Sequence, residues 1–403
     1  MNHTKELSGW ISQAKFGVAS ALAGLLLPLM TSLGTAPSAQ AQIYTVLHSF
    51  GGANDGQFPY AGLVRDGQGN LYGTTSEGGT SNYGTVFKID GTTETILYNF
   101  TGGADGATLV APVIRDASNN LYGTTVAGGA SGMGTVFKVE QNGTETVLHS
   151  FAGGTTDGCD PYGGLLRDKS GNLYGTTNKC GSAGVGVIFK ISKTGKETVL
   201  HNFTGSTSDG SYPYLTSLIM DKKGNLYGVA QDGGTIGVGI VYKLNKSNKL
   251  TVLYSFRAGT SDGCYPYGIP IMDKSGNLYG TTYDCGAHDR GIVWKVSKAG
   301  VETILHNFAG GSSDGATPYA GVVMDPQGNL YGDTISGGIG EEGIGTVYEL
   351  SKNGTVTLLN SFDGSTGEYP YGGVIRDAQG NLYGTAFSGG SSGFAGVVWK
   401  ITP

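Results

Sequence analysis

The sequence predicts an all-β fold, a seven-bladed β-propeller of four-stranded blades, on three observations. The tetrapeptide Asn-Leu-Tyr-Gly occurs seven times, with leucines at Leu71, Leu121, Leu173, Leu226, Leu278, Leu330 and Leu382, 50 to 53 residues apart. Each interval carries four short runs of β-branched and aromatic residues separated by glycine-rich turns. The two ends of the repeat region hold complementary fragments of one unit. A unit of about 40–50 residues with several strands closes into a propeller more readily than it stacks into an open solenoid.

The third unit, Gly163 to Phe203, shows the elements in order. Gly163-Gly164-Leu165-Leu166-Arg167-Asp168 reads as a first strand ending at an aspartate, and Lys169-Ser170-Gly171 is a tight turn that the aspartate can cap. Asn172–Thr177 is the second strand, Gly186–Ile191 the third and Glu197–Phe203 the fourth. Leu173 and Tyr174 put bulk on both faces of the second strand, so the sheet must be covered on both sides, as it is between two neighbouring blades. No stretch of the repeats has helical apolar spacing. Glycine, at 73 residues, recurs at fixed offsets and therefore marks turns rather than disorder.

Residues 43–50 match a fourth strand, and residues 396–401 match a third. Cutting each blade after its fourth strand makes the amino-terminal strand complete the last blade and clasp the ring. The long glycine-rich segment after Phe203 suits a crossover from an outer strand to the next inner one, so the clasp is the expected closure.

The recurring Asn-Leu-Tyr-Gly-Thr-Thr, Gly-Gly, Gly-Thr-Val-Phe-Lys and Leu-His-Ser-Phe segments resemble the Gloeobacter/Verrucomicrobia-type (GloVer) tandem repeats of choice-of-anchor proteins. The resemblance spans essentially the whole repeat region and implies an exported repeat protein. It brings no defined activity that could be carried over residue by residue. No carboxyl-terminal sorting segment of the usual kind is evident.

Lys5 and Lys15 precede an apolar stretch, Phe16–Leu33, and Ala39-Gln40-Ala41 supplies a small-x-small cleavage signature. This predicts a secretory signal peptide over residues 1–41 and one propeller domain over 42–403. Gly24, Pro28, Thr31 and Ser32 interrupt the apolar stretch and argue against a lasting membrane anchor. An unanchored, monomeric protein of the periplasm or the extracellular medium is expected. Its net charge of −6 becomes −7 once Lys5, Lys15 and Glu6 are removed. Without a basic cluster it is a poor partner for nucleic acid or an anionic membrane surface.

Cys159 and Cys180 are 21 residues apart, as are Cys264 and Cys285, and each pair occupies the same two positions of a repeat. Four cysteines allow three pairings, but this register favours Cys159–Cys180 and Cys264–Cys285. An oxidising compartment would permit both bonds. A metal site is the alternative, though the close Cys or His spacing of zinc sites is missing.

Residues that recur in every unit suggest structure. His48, His149, His201 and His306 share one fourth-strand position that Tyr98, Tyr254 and Asn360 also fill, so a hydrogen bond rather than proton transfer is expected there. The aspartates that end each first strand, and those of six Asp-Gly pairs beginning at Asp55, read as turn caps. The Asp-Gly loops offer carboxylates and carbonyls to calcium, but none has the dense alternating ligands of a dedicated loop, and no cofactor is expected. Arg65, Arg115, Arg167 and Arg376 follow the first strand in four ring-adjacent blades, and Met220, Met272 and Met324 take that place in the other three; a salt bridge from each arginine to a nearby turn carboxylate is expected ahead of an anion site.

Two sets remain as candidates. Tyr60, Tyr162, Tyr214, Tyr267, Tyr319 and Tyr371 each follow a proline, and a ring of tyrosines suits sugar binding or packing between blades. The irregular loop with Tyr283, His288 and Arg290, next to a lengthened loop with Glu341 and Glu342, could serve acid–base chemistry on a polysaccharide. In β-elimination from a uronic acid the arginine would neutralise the carboxylate while histidine or tyrosine removes the adjacent proton. The expected function is thus a binding scaffold for extracellular carbohydrate or another extracellular macromolecule. A polysaccharide lyase or hydrolase using Tyr283, His288, Arg290, Glu341 and Glu342 is the alternative.

Overall fold

The computed structural model describes residues 42–403 apart from 53, 340–342 and 393; the expected signal peptide, 1–41, lies outside the described residues. Seven four-stranded antiparallel sheets follow one another, and no helix occurs among the described residues. The third blade comprises Leu166–Arg167, Leu173–Thr177, Val187–Ile191 and Glu197–Asn202 in spatial order. In the seventh, Ile43–Ser49 pairs antiparallel with Val397–Thr402, beside Leu382–Ala386 and Ile375–Arg376. The clasp therefore forms as the complementary ends of the sequence imply.

The first strand is shorter than expected. Only Leu166 and Arg167 enter the ladder, because Gly163 and Gly164 run against the neighbouring inner strand instead. A Cβ on Gly163 would come within 2.1 Å of the Thr216 carbonyl oxygen. The fifth blade is the exception, its first strand extending over Gly263–Met272. In the first, third, fourth and sixth blades the Asp-Gly turn forms a separate two-stranded ribbon, as in Gly158–Cys159 with Lys179–Cys180, and the second and seventh keep a single bridge at that place.

The glycine of Asn-Leu-Tyr-Gly has a packing cause. Gly175 lies opposite Phe189, whose ring passes 2.5 Å from where a Cβ would be. The ring is fully buried. It then meets Phe151, which ends the previous blade's fourth strand, edge-on at 5.2 Å. The same contact recurs at every blade boundary, from Phe50–Phe87 (5.2 Å) to Phe362–Trp399 (6.1 Å). Such pairs contribute about 0.5–1.5 kcal/mol each beyond the area they bury. This repeated apolar contact, assisted by hydroxyls such as Thr281 donating to the Ala320 carbonyl at 2.7 Å, joins the blades.

Both cysteine pairs are bonded as the register favours, Cys159–Cys180 and Cys264–Cys285, with Cα separations of 5.4 and 5.5 Å.

Candidate functional site

The recurring polar residues do structural work. Asp168 Oδ1 accepts from the Ser170 and Asn172 amides, while Oδ2 accepts from Asn172 Nδ2 and the Tyr174 hydroxyl. The histidine position has a different partner from a neighbour in the sheet. In each blade the third and fourth strands slip register, as between Ile188 and Phe189, and a bulge of this kind re-aims the following side chain. His201 Nε2 thereby reaches both oxygens of Asp209, each at 3.1 Å, across the Asp-Gly turn. Asp209 also accepts the Thr204 and Gly210 amides.

His48, Asp55 and Glu94 form the one group among the described residues whose ligand atoms all lie within 4.8 Å of one another. Asp55 already accepts amides from Gly51, Gly52 and Gly56. Burial, then Asp55, pushes the Glu94 carboxyl up to about 9. Glu94 is thus protonated at neutral pH, and its 3.7 Å approach to His48 is a contact rather than an ion pair. The same His–Asp pair forms at His201–Asp209, where the position of Glu94 is taken by Leu250, so the pair does not depend on a third ligand.

The arginines depart from expectation. Arg65 approaches the Asp377 carboxylate of the preceding blade at 3.9 Å, as a salt bridge would. Yet Arg65, Arg167 and Arg376 also lie over the rings of Tyr383, Tyr122 and Tyr331, each 5.6 Å from the centroid. Arg65 thus has both partners, whereas for Arg167 and Arg376 the planar guanidinium is placed over the flat Asn-Leu-Tyr-Gly ring of the neighbouring blade, whose turn carboxylate is committed to its own turn. Arg115 turns to Asn119 in its own turn.

The proline-following tyrosines do converge. Ring centroids run Tyr162–Tyr214 4.8 Å, Tyr214–Tyr267 5.7 Å, Tyr267–Tyr319 5.1 Å, Tyr319–Tyr371 4.9 Å and Tyr371–Tyr60 4.6 Å. All six are half-buried. Burial pushes the Tyr60, Tyr162, Tyr267, Tyr319 and Tyr371 hydroxyls up, reinforced at Tyr319 by Tyr60, so these groups stay neutral donors. Beside the cluster, Lys179 Nζ pairs with Asp160 at 2.9 Å, and Asp232 is pushed up by burial.

Of the loop candidates, Tyr283 joins this cluster, 5.4 Å from Tyr267 and 5.8 Å from Tyr319. His288 and Arg290 are exposed, with the Arg290 guanidinium lying over Gly310. Glu341 and Glu342 lie outside the described residues. Two aromatics that sequence reasoning missed, Phe58 and Phe387, extend the cluster: they stack at 5.0 Å, and Phe387 meets Tyr60 and Tyr371 edge-on. Phe387 occupies the repeat position of Tyr283, directly after the second strand. An aromatic at that variable position was the available signal.

Beneath the tyrosines a cavity of about 230 Å³ runs between the inner strands, lined by residues of all seven blades, among them Leu63, Val110, Ser217, Ile269, Val323 and Ile375. Neither His288 nor Arg290 contributes to its wall.

Comparison with solved structures finds similar folds at low identity. The extracellular domain of a protein assigned as a hybrid two-component system from B. thetaiotaomicron matches at a TM-score of 0.56 and 13% identity, over 89% of this chain and 39% of that one. A second structure of that extracellular domain, from a protein assigned as a one-component system, matches at 0.54 and 11%, over 89% and 40%. A Bacteroides fragilis protein assigned as a 6-phosphogluconolactonase matches at 0.48 and 18%, over 81% and 88%. The two likenesses to the extracellular domain bear on the propeller fold alone. No curated protein matches the sequence. The Gloeobacter/Verrucomicrobia repeat matches residues 34–235 and 214–403, and with essentially every blade accounted for in this way, the chain belongs to that repeat family.

Proposed function

We propose that the protein is an exported, monomeric binding scaffold whose tyrosine cluster takes an extracellular carbohydrate. The observation that carries the reading is the convergence of Tyr60, Tyr162, Tyr214, Tyr267, Tyr319 and Tyr371, drawn from six blades, onto one aromatic platform. Sugars combine apolar C–H faces with rings of hydroxyls; tyrosines meet the first with their faces and the second with neutral hydroxyls. Asp160, Lys179 and Asp232 beside the platform add the polar contacts that fix orientation. The paired disulfides and the apolar stretch behind Lys5 and Lys15 support export. The reading requires no cofactor, and the Asp-Gly carboxylates, already engaged by backbone amides, leave calcium little to bind.

The test is retention on a panel of plant and microbial polysaccharides, with ultraviolet absorbance monitored for unsaturated products. Retention that falls at least about tenfold in Tyr319→Ala, with no product, supports the reading. Product formation would favour the lyase alternative at Tyr283, His288 and Arg290. Neither retention nor product across the panel would remove carbohydrate as the ligand class.

A further inference from the structure

The axial cavity is a second, chemically different site. Its volume is about 230 Å³. An enclosed apolar cavity of about 150 Å³ lined by Leu, Ile and Phe is large enough to admit benzene or xenon. The wall here holds Leu63, Ile269, Ile271, Val323, Val374 and Ile375, and no charged side chain. Apart from the tyrosines at its upper end, Ser217 is the one polar side chain in the lining. A strongly hydrated ligand would lose its water there without replacement, so the environment selects an apolar one.

The cavity exists because the fold cannot fill it. In the register of Gly62 the seven inner strands carry Gly62, Pro112, Gly164, Ser217, Ile269, Gly321 and Gly373. A Cβ on Gly62 would sit 2.4 Å from the Gly372 carbonyl oxygen, and one on Gly321 2.1 Å from that of Ile269. The close approach of inner strands thus excludes a side chain at Gly62 and Gly321, and of the three present in this layer, on Pro112, Ser217 and Ile269, only that of Ile269 is long. The void is a consequence of ring closure and persists without a ligand.

Access is uneven. The tyrosine contacts run without a break from Tyr162 through Tyr214, Tyr267, Tyr319 and Tyr371 to Tyr60. The second blade has Val110 in that register, and Val110 itself lines the cavity. We propose that the axial cavity binds a small apolar molecule the size of one aromatic ring, admitted past Val110 where the tyrosine ring is broken. Tyr60, Tyr162, Tyr319 and Tyr371 belong to both the platform and the cavity wall, but the inference rests on the apolar wall beneath them and not on the carbohydrate reading.

The test uses toluene as the probe and the full processed protein, with saturation-transfer NMR and thermal unfolding. The wild type should give a toluene saturation-transfer signal and an unfolding midpoint raised by about 1–2 °C near saturation. Ser217→Leu should fill the well and abolish both; if that variant does not fold, Ile271→Phe fills the same space. Val110→Tyr completes the ring and should slow toluene association about tenfold with the affinity retained. No signal from the wild type, or one undiminished in the folded filled variant, overturns the site. Equal association rates in wild type and Val110→Tyr overturn the entrance.

Discussion

Tyr60 and Tyr371 stack face to face, 4.6 Å between centroids and 6° from parallel, across the boundary between the first and last blades. Their sequence positions lie at opposite ends of the repeat region, so the stack exists only because the ring closes. Tyr60→Ala, Tyr371→Ala and the double substitution should reveal a coupling of about 0.5–1.5 kcal/mol in urea unfolding. Strict additivity would mean the two rings are neighbours without interacting.

Glu94 makes stability depend on pH. Its carboxyl is pushed from 4.5 up to about 9 by burial and by Asp55. A folded-state value above the unfolded one means that its contribution is complete below about pH 4 and is lost as pH rises toward 9. Glu94→Gln, neutral at every pH, should match the wild type near pH 4. It should be more stable by about 2 kcal/mol at pH 9, after allowance for solvent screening. Denaturant midpoints of both proteins at pH 4, 7 and 9 measure this; parallel curves would place Glu94 among ordinary ionised carboxylates.

Asp333 stands where Thr74, Thr124, Thr176, Thr281 and Thr385 each donate a hydroxyl to the next blade's inner strand. It is 1% exposed, and burial raises its carboxyl well above the usual range despite the Gly373 amide. Keeping it protonated at neutral pH costs stability. Asp333→Thr should restore the repeated hydrogen bond and stabilise the protein by about 1–3 kcal/mol at pH 7 in chemical denaturation. A destabilised variant would show that the acid has a partner the threonines lack.

Much of this was legible in the sequence, and the exceptions have physical causes. Asn-Leu-Tyr-Gly announced a repeat because Leu, Tyr and Gly each meet a fixed neighbour: Leu173 the buried core, Tyr174 the Asp168 carboxylate, Gly175 the Phe189 ring. The clasp was visible because Ile43–Ser49 repeats a fourth strand, and the bonded cysteines because they fall in register. The reach of His201 to Asp209 depends on a bulge, which spacing alone does not reveal. The stacking of Arg167 on Tyr122 is a contact between blades, invisible within one unit. The cavity is built from side chains that are missing, and a glycine in a glycine-rich repeat does not announce a void.

The disulfides should contribute separately. Each closes a short loop of the same length, so removing either pair, as Cys159→Ser with Cys180→Ser or Cys264→Ser with Cys285→Ser, should cost about 3 kcal/mol. Removing both should cost about twice that, since they lie in different blades. Unfolding midpoints with and without reductant check the sum. A loss under about 1 kcal/mol for either pair would mean the ribbon is held by its backbone contacts alone.

The most direct measurement concerns the seam that seals the ring. Thr45 and Lys400 are directly opposite in the pairing of Ile43–Ser49 with Val397–Thr402. In Thr45→Cys with Lys400→Cys, mild oxidation should join the two new cysteines within one chain, as mapped by peptide mass after non-reducing digestion. The cross-link should raise the denaturation midpoint, because it closes a loop that includes nearly the whole propeller. Thiols that stay free in the folded protein, or bonds only between separate chains, would contradict a propeller closed by its own amino-terminal strand.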